Sequence, residues 1–157
     1  NSTYNMPRSF GLYYINNESK HDTPIMLHRA IFGSIERLIV ILLESYAGKL
    51  PTWLSPLQVY LIPVSENYAE YAVNIGSILR EKGIMCQIDL SSETVGKKIK
   101  LIRNKRPSYI CVVGENEKNN ATITVRNRKD SQTTLKIDDF TEKLLKEINE
   151  RKIEQEL

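Results

Sequence analysis

Cysteine is nearly missing. Cys86 and Cys111 are the only two in the chain, too few for a disulfide scaffold and without metal-ligand spacing. Histidine is equally scarce, with His21 and His28 alone, so a zinc site built from neighbouring histidines and cysteines is not legible in the spacing. Seven glycines and six prolines exclude a collagenous or low-complexity chain. No Gly-x-Gly-x-x-Gly follows a strand and no P-loop occurs. The turn Ser65-Glu66-Asn67 puts an acid where a pyrophosphate needs bare backbone, which argues against dinucleotide binding. The longest strongly apolar stretch, Leu38 to Leu43, falls far short of the ~20 residues that cross a bilayer. No basic-then-apolar leader opens the sequence. The expected setting is the reducing cytoplasm, with no membrane partner.

What is there is an ordinary globular composition over 157 residues, 41% hydrophobic and 26% charged. One domain, or one domain with an appendage, fits the length. Twenty-two Lys+Arg against 19 Asp+Glu leave a net charge of +3, but the charges are unevenly spread. Lys97 to Arg106 holds six bases and no acid, whereas Asp138 to Leu157 holds seven acids against four bases. The basic run fits a surface facing a polyanion, and it also fits a solvated helix face; charge alone admits both. The acidic tail reads as an outer helix.

Hydrophobic periodicity divides the chain at Pro51-Thr52-Trp53-Leu54-Ser55-Pro56. Before it, Ser9 to Ile15 and Pro24 to His28 flank the polar cluster Asn16 to Lys20, as in a hairpin. Ile31, Ile35, Leu38, Leu42 and Tyr46 then recur at helical spacing, with Gly48 as the C-cap. Apolar on more than one face, this helix is expected to be deeply buried. After the boundary the pattern alternates. Leu57–Val64 reads as a strand, and Ser65 caps a helix over 66–82 that ends at Gly83. Ile84–Ile88 is a strand, Thr94–Lys105 a basic helix and Tyr109–Val113 a buried strand. Asn119-Asn120 is a turn before the strand Ala121–Val125, and Asp139 with Glu142 forms a capping box for the last helix. Strand–helix–strand–helix–strand calls for right-handed crossovers and parallel strands. The short connection after Val113 returns the next strand antiparallel. The fold class is therefore α/β: a three-layer α/β/α domain with a mixed, mostly parallel sheet.

Few residues suggest chemistry. His21 lies in a polar loop, and spacing alone makes His28 a half-buried histidine beside a helix start. Both cysteines read as core strand residues. Gly33-Ser34-Ile35-Glu36-Arg37 opens the apolar helix. A glycine there admits a close ligand, and an arginine one turn on can stack on a base or hold phosphate.

Three strings carry a more specific signal: Pro24-Ile25-Met26-Leu27-His28-Arg29-Ala30, Gly33-Ser34-Ile35-Glu36-Arg37, and Ala47-Gly48-Lys49-Leu50-Pro51-Thr52-Trp53-Leu54-Ser55-Pro56-Leu57-Gln58-Val59. Together the chain resembles the C-terminal part of the threonyl-tRNA synthetases. The resemblance implies a class II catalytic-domain tail over residues 1–50, a strand and a helix, followed by an anticodon-binding domain over 51–157. It makes Gly33 to Arg37 the counterpart of class II motif 3. Gly33, Ser34 and Arg37 would then line the ATP site, with Arg37 the catalytic arginine on the adenine and γ-phosphate. It makes His28 a zinc ligand, one of a set whose other members lie upstream in the family.

For the second domain the resemblance implies readers of the middle G and final U of threonine anticodons. Arg126 and Glu117 match the family's base contacts, and Ser92 and Thr94 stand where the family commonly has Asn and Lys. Lys97, Lys98 and Arg103 would hold the tRNA backbone. Arginine can donate two hydrogen bonds to a guanine edge and a carboxylate can accept from a base N–H, and unstacked loop bases expose those edges. The parent enzyme would use ATP with Mg2+, and zinc, to ligate threonine to its tRNA as a homodimer. This segment alone is expected to form no threonyl-adenylate and to bind no cofactor. A free-standing, non-catalytic RNA-binding or regulatory paralogue is the alternative, against which Gly33–Arg37 and His28 speak.

Overall fold

The computed structural model describes residues 6–25, 33–155 and 157. The chain divides into two compact units, Asn1–Ile41 and Leu42–Leu157.

The first unit holds a short helix α1 (Met6–Ser9) and a two-stranded antiparallel hairpin of β1 (Tyr14–Ile15) and β2 (His21–Asp22). The expected hairpin is present, but its return strand comes earlier than the sequence suggests. Asn16 makes the difference: its Oδ1 accepts from the Glu18 and Lys20 N–H groups and closes the turn at once. The ring of Tyr13 stacks on His21 at 4.2 Å, tying down the polar-loop histidine. The second apolar run, including His28, lies mostly outside the described residues.

Helix α2 (Ile35–Ser45) begins in the first unit and runs into the second. The Ser34 Oγ accepts the Arg37 N–H at its start. The backbone turns left-handed at Ala47 and at Gly48, the expected C-terminal stop. The expectation of deep burial does not hold. None of its described residues is buried, and Ile35, Ile39, Val40, Ile41 and Leu43 are exposed. Apolar periodicity reports what a helix can bury, and these side chains have no cover among the described residues.

The Pro51–Pro56 stretch is not a free linker. Its 3-10 turn Thr52–Leu54 packs on the last helix, and the Gln58 amide donates to the Thr52 carbonyl. From here the second unit builds a five-stranded sheet in the order β4-β3-β5-β6-β7. Strand β3 (Val59–Pro63) lies between β4 (Cys86–Ile88) and β5 (Tyr109–Val113), parallel to both. β6 (Thr122–Arg126) and β7 (Gln132–Lys136) add on antiparallel, so the sheet is mixed, as expected. Helix α3 (Ala69–Glu81), with Gly83 in a left-handed turn behind it, links β3 to β4. Helix α4 (Val95–Arg103) links β4 back across β3 to β5. The two connections run in opposite directions along the sheet. Right-handed crossovers must therefore place α3 and α4 on opposite faces.

The core confirms this. Val59, Leu61, Tyr109, Cys111, Val113, Ile123 and Val125 meet α3 and the final helix α6 (Ile137–Asn149) on one face. Tyr60, Ile62 and Ile110 meet Ile102 of α4 on the other. Alternation along each strand thus produces the α/β/α layers.

Three local readings change. Asn119-Asn120 ends a short helix α5 (Glu115–Asn120) before a left-handed Ala121. The last helix starts at Ile137, so Asp138 and Asp139 lie in its first turn, where they complement the helix dipole without forming the expected box. Ser65 precedes the 3-10 turn Glu66–Tyr68 and makes no side-chain cap bond.

Candidate nucleic-acid interface

Strands β6 and β7 have two unlike faces. Ile123, Val125 and Leu135 point to the α3/α6 side and join the core. Thr124, Arg126, Gln132 and Thr134 alternate onto the α4 side, where Thr124 pairs with Thr134 and Arg126 with Gln132. Helix α4 packs on β3, and beyond it this polar strip carries the candidate readers. Thr124 Oγ1 donates to Glu117 Oε1 at 2.8 Å and lies 3.0 Å from Thr134 Oγ1. Two residues along the same face, Arg126 Nη2 donates to Gln132 Oε1 at 3.4 Å. Glu117 and Arg126 are therefore brought onto one strip of the sheet.

Glu117 also closes the N-terminus of α5 from its third position, its Oε2 accepting the N–H of the N-cap residue Gly114 at 2.9 Å. Burial pushes its carboxyl upward. Hydrogen bonds from Thr124 and from the backbone N–H groups of Glu117 and Gly114 outweigh that and hold the pKa below the ordinary value.

At the Arg126 end of the strip lies a cleft of about 200 Å³, lined by Lys49, Arg103, Arg106, Arg126, Arg128 and Asp130 among others. Among the described residues, five cations and one carboxylate line it, which makes it a place for an anion. Arg128 departs from its neighbours. Its Nε donates to the Pro107 carbonyl at 3.2 Å, Nη1 to the Leu50 carbonyl, and Nη2 to the Arg106 carbonyl and Ser108 Oγ. Burial pulls its pKa down, opposed by Tyr109 and Glu147. Arg106 is held in turn through Nη1 by the Ala47 carbonyl.

The basic helix has a mixed character. Val95, Ile99 and Ile102 face the sheet, leaving Lys97, Lys100 and Arg103 outside. Lys97 pairs with Glu93 at 2.7 Å, one turn back. Lys98, expected among the backbone-holding cations, turns inward and is only 4% exposed. Its Nζ donates to the Asp89 carbonyl at 3.2 Å and lies 3.9 Å from the Asp89 carboxylate. The reason is positional: Lys98 shares the inward side of α4 with Ile102 and meets the chain leaving β4. Burial pushes the Asp89 carboxyl up, but bonds from Ser91 and Tyr60 and the nearby Lys98 charge prevail and lower its pKa. The Tyr60 hydroxyl is pushed up to about 12 by burial and by its bond to Asp89.

Ser92 and Thr94 are exposed at the other end of α4. Ser92 lines a second crevice with Ser65, Glu66 and Glu93, beyond the carboxyl ends of β3 and β4, and Thr94 is the residue before α4. Sequence reasoning overlooked Lys49, Arg128 and Asp130. The Arg-x-Arg pair 126/128, with the turn residue Asn127 between its members and Asp130 after it, was the available signal.

A family model described as the anticodon binding domain matches residues 58–147. The chain belongs to that family. Its relatives include the threonine–tRNA ligase of Thermoplasma acidophilum, 51% identical over 150 residues. That match covers 96% of this chain and 23% of the relative. The threonine–tRNA ligase catalytic subunit of Sulfurisphaera tokodaii is 43% identical over 153 residues, covering 97% of this chain and 28% of the relative. The chain thus spans about a quarter of the length of these curated relatives. Among solved structures, the RNA binding domain of threonyl-tRNA synthetase from Cryptosporidium parvum Iowa II superposes with a TM-score of 0.73 at 34% identity. It covers 92% of this chain and 37% of that one. The three-layer arrangement with its β6–β7 strip is thus the anticodon-binding fold.

Proposed function

We propose that this chain is the anticodon-reading part of a threonine–tRNA ligase, the parent enzyme activating threonine with ATP and transferring it to tRNA. The observation that carries the reading is the polar strip of β6–β7. It sets Arg126 and Glu117 on one face of an anticodon-binding fold whose relatives over nearly the whole chain are threonine–tRNA ligases. In this reading residues 51–157 form the anticodon-binding domain and residues 1–50 belong to the catalytic domain. Arg126 donates to the middle anticodon base and Glu117 accepts from a neighbouring base. Ser92 and Thr94 flank the loop, and Lys97, Lys100 and Arg103 face the phosphates. Lys98 serves the fold by holding Asp89.

Gly33, Ser34 and Arg37 are the residues we assign to ATP. Gly33 is left-handed, with no described residue within 4 Å of where a Cβ would stand, and Arg37 stands exposed in the first turn of α2. His28 lies outside the described residues, and among the described residues no three His, Cys, Asp or Glu side chains converge as a metal site. Among the same residues no helix is long and apolar enough to cross a membrane. The setting we assign is the cytoplasm, and the parent a homodimer.

The test is a titration of the chain with a threonine anticodon stem-loop and with loops changed only at the middle base. The cognate loop is expected to bind best, and Arg126→Ala to cost about 1–3 kcal/mol on it while levelling the others. Equal affinity of the wild-type chain for all loops would overturn the reading. Threonine-dependent pyrophosphate exchange by this chain alone is expected to be undetectable, because one arginine is only part of an ATP site.

A further inference from the structure

Among the described residues that line the cleft beside Arg126, Asp130 is the one carboxylate beside five cations, and its placement is built with care. Asp130 sits in the turn between β6 and β7 with a left-handed backbone, φ 62°, a conformation Asp and Asn adopt more readily than other non-glycine residues. The turn is closed by Asn127. Its N–H donates to the Ser131 carbonyl at 3.1 Å, and its Oδ1 accepts from the Lys129 and Ser131 N–H groups at 2.9 and 3.0 Å. The Asp130 N–H donates to the Asn127 carbonyl at 3.1 Å. Asp130 is thus fixed by backbone bonds that its own side chain does not make.

From that position one carboxylate oxygen reaches two arginines on different elements. Asp130 Oδ1 accepts from Arg103 Nη2, at the end of α4, and lies 3.8 Å from Arg126 Nη1, at the end of β6. Gln132 holds the other side of Arg126 through Nη2. The three charged side chains are 57%, 50% and 30% exposed, in the order Asp130, Arg103 and Arg126. Ion pairs this wet contribute little to stability. Their geometry still matters, because an arginine left to itself takes any phosphate within reach, whereas base readout needs a guanidinium in one orientation.

We propose that Asp130 is a positioning residue for anticodon discrimination: its carboxylate orients the Arg126 guanidinium for a base edge and keeps Arg126 from acting as an indiscriminate phosphate clamp. The inference rests on the anticodon reading above. It predicts that the acid in the cleft lowers overall RNA affinity and raises selectivity. No purely structural role has that pair of effects.

Asp130→Asn separates the two roles, since asparagine keeps the left-handed turn and removes the charge. The 157-residue chain and this variant are titrated against the cognate stem-loop and a loop changed at the middle base, across a range of salt. The variant is expected to bind the non-cognate loop several-fold tighter and to lose about an order of magnitude of the cognate preference. Its salt slope should steepen by about 0.7 for each phosphate newly engaged by a freed guanidinium on single-stranded RNA. Unfolding temperature should stay within about 2 °C of wild type. An unchanged preference, or equal weakening on both loops, would overturn the role of Asp130 while leaving the anticodon reading intact. No preference in the wild-type chain would remove both.

Discussion

Two arginines separated by one residue are expected to behave as opposites. Arg126 faces the strip and spends its guanidinium on Gln132 and Asp130. Arg128 donates to three backbone carbonyls and a hydroxyl, and so ties residue 50 and the 106–108 segment to the β6–β7 turn. Replacing Arg128 by Met keeps the apolar stem and removes all four bonds. Hydrogen bonds that involve a charged group contribute about 1.5–3 kcal/mol each net of the bonds to water they replace. Of the carbonyl residues Pro107 is buried, Leu50 half-buried and Arg106 exposed, so water can replace only part of what is lost. A net cost of about 2–4 kcal/mol follows. For a folded unit of this size that lowers Tm by roughly 8–15 °C. Circular dichroism on thermal and urea unfolding of Arg128→Met and Arg126→Ala measures it. Arg126→Ala should stay within about 0.5 kcal/mol of wild type, as surface substitutions usually do. A shift under 2 °C for Arg128→Met, or equal destabilisation by both, would refute this division of labour.

Lys98→Ala should cost about 2–3 kcal/mol in urea unfolding, because it leaves Asp89 beside Tyr60 without its buried cation, and should leave the salt slope of RNA binding unchanged. Glu117 has a folded pKa below its unfolded value, so its contribution to stability is complete above about pH 4.5 and disappears as pH falls through the folded pKa. Wild type should therefore lose more stability than Glu117→Gln between about pH 5 and pH 3; parallel acid-unfolding curves would contradict this. Burial raises the Cys86 thiol to about 11, opposed by Arg80, and burial also holds the Cys111 thiol well above the ordinary value. At pH 8 iodoacetamide should label Cys86 about a hundredfold more slowly than a thiol of ordinary pKa, and Cys111 only on unfolding.

Local periodicity determined most of the second unit. The run Tyr109–Val113, the helix stop at Gly83 and the strand–helix alternation from Leu57 onward are properties of neighbouring residues. Right-handed crossover then leaves few ways to assemble them. The strings around Gly33–Arg37 and Leu50–Val59 likewise carried the family without any coordinates. Strand β7 was not legible: Gln132-Thr133-Thr134-Leu135-Lys136 has one core side chain, so its alternation is silent until β6 pairs with it. Helix α5 has no apolar face at all and exists through Glu117, whose partners are Gly114 and Thr124. Lys98 and Lys97 are adjacent in a uniformly basic run, yet only the packing of α4 on β3 decides that one is buried on Asp89 and the other exposed. The same holds for Asp130 and Arg103, separated by 27 positions and joined by a turn. Composition and spacing measure what a segment can do with its own neighbours. Which charge meets which across the sheet depends on register and crossover, and those are properties of the whole fold.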